Sequence, residues 1–83
     1  MDKVIAVINK NQVEEIRVAL REFHGQDLLD IRVYFEPHDG VAKIATKKGV
    51  ALQVGKLPEL LAALREAERV AREAGLLAGR DAA

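Results

Sequence analysis

The stretch Glu15-Ile16-Arg17-Val18-Ala19-Leu20-Arg21-Glu22-Phe23-His24-Gly25-Gln26-Asp27-Leu28-Leu29-Asp30-Ile31-Arg32-Val33-Tyr34-Phe35-Glu36 decides the fold of this chain. Its apolar residues recur every second position, the period of a half-buried strand and not of a helix. In Glu15 to Phe23, Ile16, Val18 and Leu20 form one face, and Arg17, Ala19, Arg21 and Phe23 the other. His24-Gly25 supplies a tight turn, with Gly tolerating positive φ. From Asp27 to Glu36 the alternation resumes, with Leu29, Ile31, Val33 and Phe35 on one side and Leu28, Asp30, Arg32 and Tyr34 on the other. The spacing therefore predicts a β-hairpin with one aliphatic face and one face carrying arginines and rings.

Working outward, Pro37-His38-Asp39-Gly40 reads as the next turn and Val41 to Val54 as a further strand, interrupted at Lys47-Lys48-Gly49, where Gly49 marks a bulge or sharp bend. Val4 to Ile8 reads as a short strand before the hairpin. After Val54 the period becomes helical, opening at Pro58, whose missing N–H costs nothing in a first turn, with Glu59 complementing the helix dipole. Along this helix Leu57, Leu60, Leu61, Leu64, Ala67, Val70, Ala71 and Ala74 cover about half the circumference, wider than the roughly 100° needed to sit on one sheet. That excess points to a second copy of the chain, with Leu57, Leu60, Leu61, Leu64, Ala67, Val70 and Ala71 as the dimer interface. Arg65, Arg69 and Arg72 beside Glu59, Glu66 and Glu73 read as a solvated ridge of weak ion pairs. Gly75 is expected to end the helix, giving one domain over residues 1 to 75 and a frayed tail over 76 to 83.

The composition narrows function by exclusion. Eighty-three residues make one small domain with a thin core, with no room for a two-domain enzyme cleft. The sequence has no Cys, which removes disulfides, thiolate metal sites and cysteine nucleophiles, and fits a reducing cytoplasm. Apolar runs such as Val4 to Ile8 fall far short of the roughly 20 residues of a membrane span. The glycines around Gly49 to Gly55-Lys56 do not make a phosphate loop, because five residues separate them and Leu57 stands where a metal-binding hydroxyl belongs. His24 and His38 fall in separate turns, the sequence contains no Ser, and Asp27 and Asp30 point to opposite faces, so no catalytic set assembles. The expectation is a non-enzyme without metal, cofactor, small-molecule substrate or membrane partner.

What remains is the polar sheet face, where Arg17, Arg21 and Phe23, then Arg32, Tyr34 and the adjacent Phe35, then Lys43, Lys47 and Lys48 interleave cations with rings. Single-stranded nucleic acid asks for that combination, cations for phosphates and π-faces for unstacked bases. The plain alternative is a solvated sheet face, and Phe35, which follows the apolar alternation of its strand, is then core. Residues 1–56 hold 9 basic and 8 acidic groups, so attraction must come from local placement, not from net charge.

The blocks Leu20-Arg21-Glu22-Phe23-His24-Gly25, Asp30-Ile31-Arg32-Val33-Tyr34-Phe35, Asp39-Gly40, Thr46-Lys47-Lys48-Gly49-Val50-Ala51-Leu52 and Leu57-Pro58-Glu59-Leu60, in that order and spacing, resemble the C-terminal domain of the transcriptional coactivator positive cofactor four and its bacterial relatives. The resemblance covers roughly residues 4 to 70. It implies an α+β fold, a curved four-stranded antiparallel sheet followed by one C-terminal helix (β-β-β-β-α), homodimeric. It also implies sequence-tolerant binding of single-stranded or melted DNA, with RNA as the alternative strand, in a transcription-regulator role in the cytoplasm or bacterial nucleoid. Position by position, Arg21, Phe23, Arg32, Phe35, Lys43 and Lys48 look like the family's DNA-contacting residues, with Arg17 and Lys47 as neighbours by alternation. His24 and Gln26 stand where relatives often carry Lys or Arg. With the near-neutral charge, this motivates a rival reading, a dimeric interaction scaffold of the transcription machinery with little nucleic-acid affinity of its own.

Overall fold

The computed structural model describes residues 1–37, 40 and 42–77. Strands β1 (Lys3–Asn9), β2 (Glu14–Phe23), β3 (Gln26–Phe35) and β4 (Ile44–Gln53) form one open sheet in that order, each antiparallel to the next. A 3₁₀ turn, Val54–Lys56, absent from the expected pattern, leads into the helix α1, Leu57–Glu73.

Each connection has a local cause. Between β1 and β2 the Asn11 side-chain oxygen accepts from the backbone N–H groups of Val13 and Glu14, an Asx turn that fixes the reversal. Between β2 and β3, His24 and Gly25 both have positive φ, 52° and 78°, and join the paired residues Phe23 and Gln26, the geometry of a two-residue hairpin loop. The predicted tight turn is there. Of the turn expected at Pro37-His38-Asp39-Gly40, His38 and Asp39 lie outside the described residues, as does Val41; Gly40 donates its N–H to the Pro37 carbonyl. The last strand starts at Ile44, opposite Phe35, so Lys43 stands just before β4 and not within a strand.

The interruption at Lys47-Lys48-Gly49 is a bulge. Arg32 pairs with Gly49 and Tyr34 with Ala45, leaving Thr46, Lys47 and Lys48 opposite the single residue Val33. The Thr46 hydroxyl closes it, donating to the Val33 carbonyl and accepting from the Lys48 N–H. Gly49 has φ +148°, and a Cβ there would collide with the Ile31 carbonyl oxygen and lie 2.8 Å from the Arg32 Cα. Only glycine lets β3 and β4 approach this closely.

Helix α1 starts with Pro58 in its first turn and ends in a Schellman arrangement, Gly75 N–H to the Arg72 carbonyl and Leu76 N–H to that of Ala71, with Gly75 at φ 76°. Residues 78–83 of the expected tail lie outside the described residues. The helix does not lie across the sheet. It meets the rest of the chain chiefly at the 3₁₀ turn, and none of its residues is buried. Among the described residues the buried hydrophobic side chains are Ala19 and Leu29 alone, joined by two buried carboxylates, Glu15 and Asp30.

Candidate nucleic-acid interface

The β2–β3 register fixes which side chains share the polar face. Arg17 stands opposite Arg32, Glu15 opposite Tyr34, Ala19 opposite Asp30, and Phe23 opposite Gln26 at the hairpin end. Like charges directly across a sheet repel. Each arginine escapes along its own strand, through matching acid-x-Arg units: Glu15-Ile16-Arg17 on β2 and Asp30-Ile31-Arg32 on β3. Because the strands are antiparallel, the two guanidiniums are drawn in opposite directions.

Arg32 donates from Nε and Nη2 to Asp30 Oδ1, at 3.2 and 2.9 Å, and from Nη1 to the Thr46 carbonyl at 3.2 Å. Arg21 donates from Nε to Asp30 Oδ2 at 3.1 Å and from Nη2 to the Tyr34 hydroxyl at 3.3 Å. Asp30 can take both because its cross-strand neighbours are Ala19 and Ala51, which leave room for two guanidiniums to fold over it. The hydrogen bond to Asp30 holds the Arg21 pKa above its already high ordinary value, so Arg21 is a permanent cation.

The second cluster centres on Glu15. Its carboxylate accepts from Arg17 Nε on one oxygen and from Lys43 Nζ, 2.6 Å away, on the other. Those two hydrogen bonds, Lys43's first, hold the Glu15 carboxyl below the usual glutamate range. The Arg17 guanidinium also lies over the Tyr34 ring, 4.1 Å from its centroid. Tyr34 is thus a pillar that carries Arg17 on its face and Arg21 on its hydroxyl.

Of the residues singled out in the sequence, Arg17, Arg21, Arg32 and Lys43 come together on this face. Phe23 closes its hairpin end, 62% exposed, its ring edge-on to His24 at 4.1 Å between centroids. Arg21, Phe23, Leu28, Asp30, Arg32 and Ala51 line a shallow depression of about 260 Å³ with an apolar floor. Lys47 and Lys48 lie exposed in the β4 bulge and make no ion pair among the described residues. Phe35 does not join the cluster. It pairs with Glu14 and Ile44 at the far end of β3, on the alternation opposite to Arg32, and is 37% exposed beside Val13, Glu36 and Pro37. Glu15, Asp30 and Tyr34 were absent from the predicted contact set, although their alternation placed them on this face; what sequence spacing lacks is the direction in which each long side chain leans.

The family model for the transcriptional coactivator p15 (PC4) matches residues 10–63, which span β2, β3, β4 and the start of the helix. The chain belongs to the PC4 family. Two crystal forms of a PC4 homologue from Burkholderia pseudomallei share the fold. One has a TM-score of 0.74 and 26% identity over 82% of this chain and 90% of that one; the other has 0.72 and 25% over 82% and 98%. A bacteriophage T5 homologue of the eukaryotic coactivator PC4, implicated in recombination-dependent DNA replication, has a TM-score of 0.61 and 22% identity over 92% of this chain and 83% of that one. None of the curated proteins matches the chain. The PC4 match confirms the sheet-then-helix architecture expected from the resemblance, and among the described residues no helix is long and apolar enough to cross a membrane.

Proposed function

We propose that this PC4-family chain is a dimeric, sequence-tolerant single-stranded DNA-binding protein of the transcription-regulator type, which holds melted strands on the Arg17–Arg32 face of its sheet. The observation that carries the reading is the convergence of Arg17, Arg21, Arg32 and Lys43 on one face that ends at the exposed ring of Phe23. Phosphates meet the outward N–H groups of the guanidiniums, and an unstacked base lies against Phe23 over the depression floored by Leu28 and Ala51. The eukaryotic and phage relatives, a transcriptional coactivator and a protein implicated in DNA replication, support a role wherever strands are separated.

Dimerisation is part of the same proposal. A chain whose buried hydrophobic side chains are Ala19 and Leu29 among the described residues is short of the core a domain needs to fold alone. Away from the cations, exposed apolar side chains stand on two surfaces, the sheet face opposite Arg32, with Ile8 and Val50, and α1, with Leu61, Leu64 and Val70. A second copy supplies a partner to both.

One observation favours the rival reading of a protein-interaction scaffold, namely that Glu15 and Asp30 already neutralise part of the cation array. Fluorescence anisotropy with labelled single-stranded and duplex oligonucleotides at two salt concentrations separates the readings. The DNA-binding reading expects tighter single-strand binding whose logarithm falls with log salt by about 0.7 per phosphate neutralised. Absence of binding to either at micromolar protein favours the scaffold.

A further inference from the structure

The two carboxylates of the cation face are not equivalent. Asp30 is fastened by two guanidiniums, each of which keeps other N–H groups pointing away from it, and it is flanked on both sides by strand. It orients Arg21 and Arg32 without using up their capacity for phosphate. Glu15 differs. Its partner Lys43 has a single compact ammonium on a flexible stem, placed ahead of β4 and able to re-aim, and Arg17 keeps a second anchor on the Tyr34 ring whether or not it holds Glu15. The Glu15 oxygens bind one ammonium and one guanidinium at once, as two oxygens of a phosphodiester can, and the residue is 5% exposed beneath them.

We propose that Glu15 is a built-in substitute for a backbone phosphate. It occupies Lys43 and Arg17 in the unbound protein, and a nucleic-acid strand takes these two cations from it, so Glu15 sets the affinity and salt sensitivity of the face. The inference rests on the single-strand-binding reading. It accounts for the near-neutral sheet region, in which the cations stay ordered without creating a strong unspecific field. Exchange of one anion for another also releases less counterion than filling an empty site, so salt dependence is shallow while Glu15 is present.

The test is a cycle of Glu15→Gln, Lys43→Met and the double variant, in the full chain, titrated into a labelled thymidine oligonucleotide of about 20 nucleotides at several salt concentrations. Glu15→Gln is expected to bind about fivefold more tightly at low salt, the size of one exposed charge contact, with a steeper salt slope by about 0.7 per additional phosphate. The double variant, which restores the wild-type net charge and lacks the released ammonium, is expected to lose the share of that gain that Lys43 supplies and to keep only the share of the released Arg17. Glu15→Leu, which removes the charge with an apolar side chain, serves as a second variant and is expected to tighten binding in the same way. Unchanged or weaker binding by Glu15→Gln, beside a wild type that binds, overturns this inference and leaves the DNA-binding reading intact. A gain undiminished in the double variant overturns it too, because Lys43 is then not among the cations released. Binding by neither wild type nor any variant overturns both proposals. Loss of the circular-dichroism signal in both Glu15 variants makes the carboxylate structural and overturns the exchange.

Discussion

The face of the sheet that carries Arg17 and Arg32 finds its partners inside one chain, through Glu15, Asp30, Tyr34 and the Thr46 carbonyl. On the reverse face and along α1, Ile8, Val50, Leu61 and Leu64 stand exposed. The contrast inverts the usual arrangement, in which charges face water and aliphatics are packed away. A polar surface that is ordered before any ligand arrives loses little side-chain entropy on binding. An apolar surface left open by its own chain marks a place for an interaction partner.

The largest effect is expected at the helix. Leu64→Asp places a charge in the proposed interface, where an unpaired buried carboxylate costs several kcal/mol on each side. It is expected to convert the proposed dimer to monomer at micromolar concentration, as read by light scattering, and to lower thermal stability with it. A wild type already monomeric at that concentration contradicts the account of the apolar surfaces. Gly49→Val attacks the polar face through its backbone. The residue would combine a positive φ with a Cβ driven into β3, a cost of about 3 kcal/mol in urea unfolding, with the Lys47-Lys48 bulge displaced.

The rings give the next effect. Phe23→Ala is expected to weaken single-strand binding by about 1–3 kcal/mol with unfolding unchanged, because the ring is exposed and packs on His24 alone among described aromatic partners. Phe35→Ala sharpens the division. On the opposite alternation and half-covered by Val13 and Pro37, it should lose stability more than affinity. The reverse result would show that the end of β3 twists far enough to join the binding face.

Acid is the mildest perturbation. Glu15 is held below its ordinary value of 4.5 by Lys43 and then Arg17, and Glu14 below the same value by Lys10 and then Asn11. A depressed folded pKa contributes stability that is complete above the unfolded value and disappears as pH falls through the folded one. Melting temperature should therefore be level above about pH 5 and fall below it, with a smaller fall in Glu15→Gln. An equal fall in that variant would assign the acid sensitivity to other carboxyls.

Strand alternation made both faces legible from the sequence, because side chains on one strand differ by a fixed period whatever their surroundings. Single residues marked the breaks, with His24-Gly25 at the hairpin, Gly49 at the bulge, and Pro58 and Gly75 at the helix ends. The path of the helix was not legible. Its apolar arc is the same whether it covers its own sheet or a partner, and in the structure it leaves the sheet uncovered. The apolar residues around it make Lys43 resemble a strand residue in the sequence, whereas β4 begins at Ile44, opposite Phe35 at the end of β3. Nor does spacing reveal that Arg17 leans toward Glu15 while Arg32 leans toward Asp30, which depends on the cross-strand repulsion between them.

One face of the sheet is proposed to take the strand and the other surfaces a second copy. Amide chemical-shift mapping by NMR, with a short single-stranded oligonucleotide added to the labelled protein, tests it residue by residue. Shifts are expected to concentrate at Arg17, Arg21, Phe23, Arg32 and Lys43, with Leu61, Leu64 and Val70 unmoved. Shifts concentrated along α1, with the Arg17–Arg32 face unchanged, would contradict it.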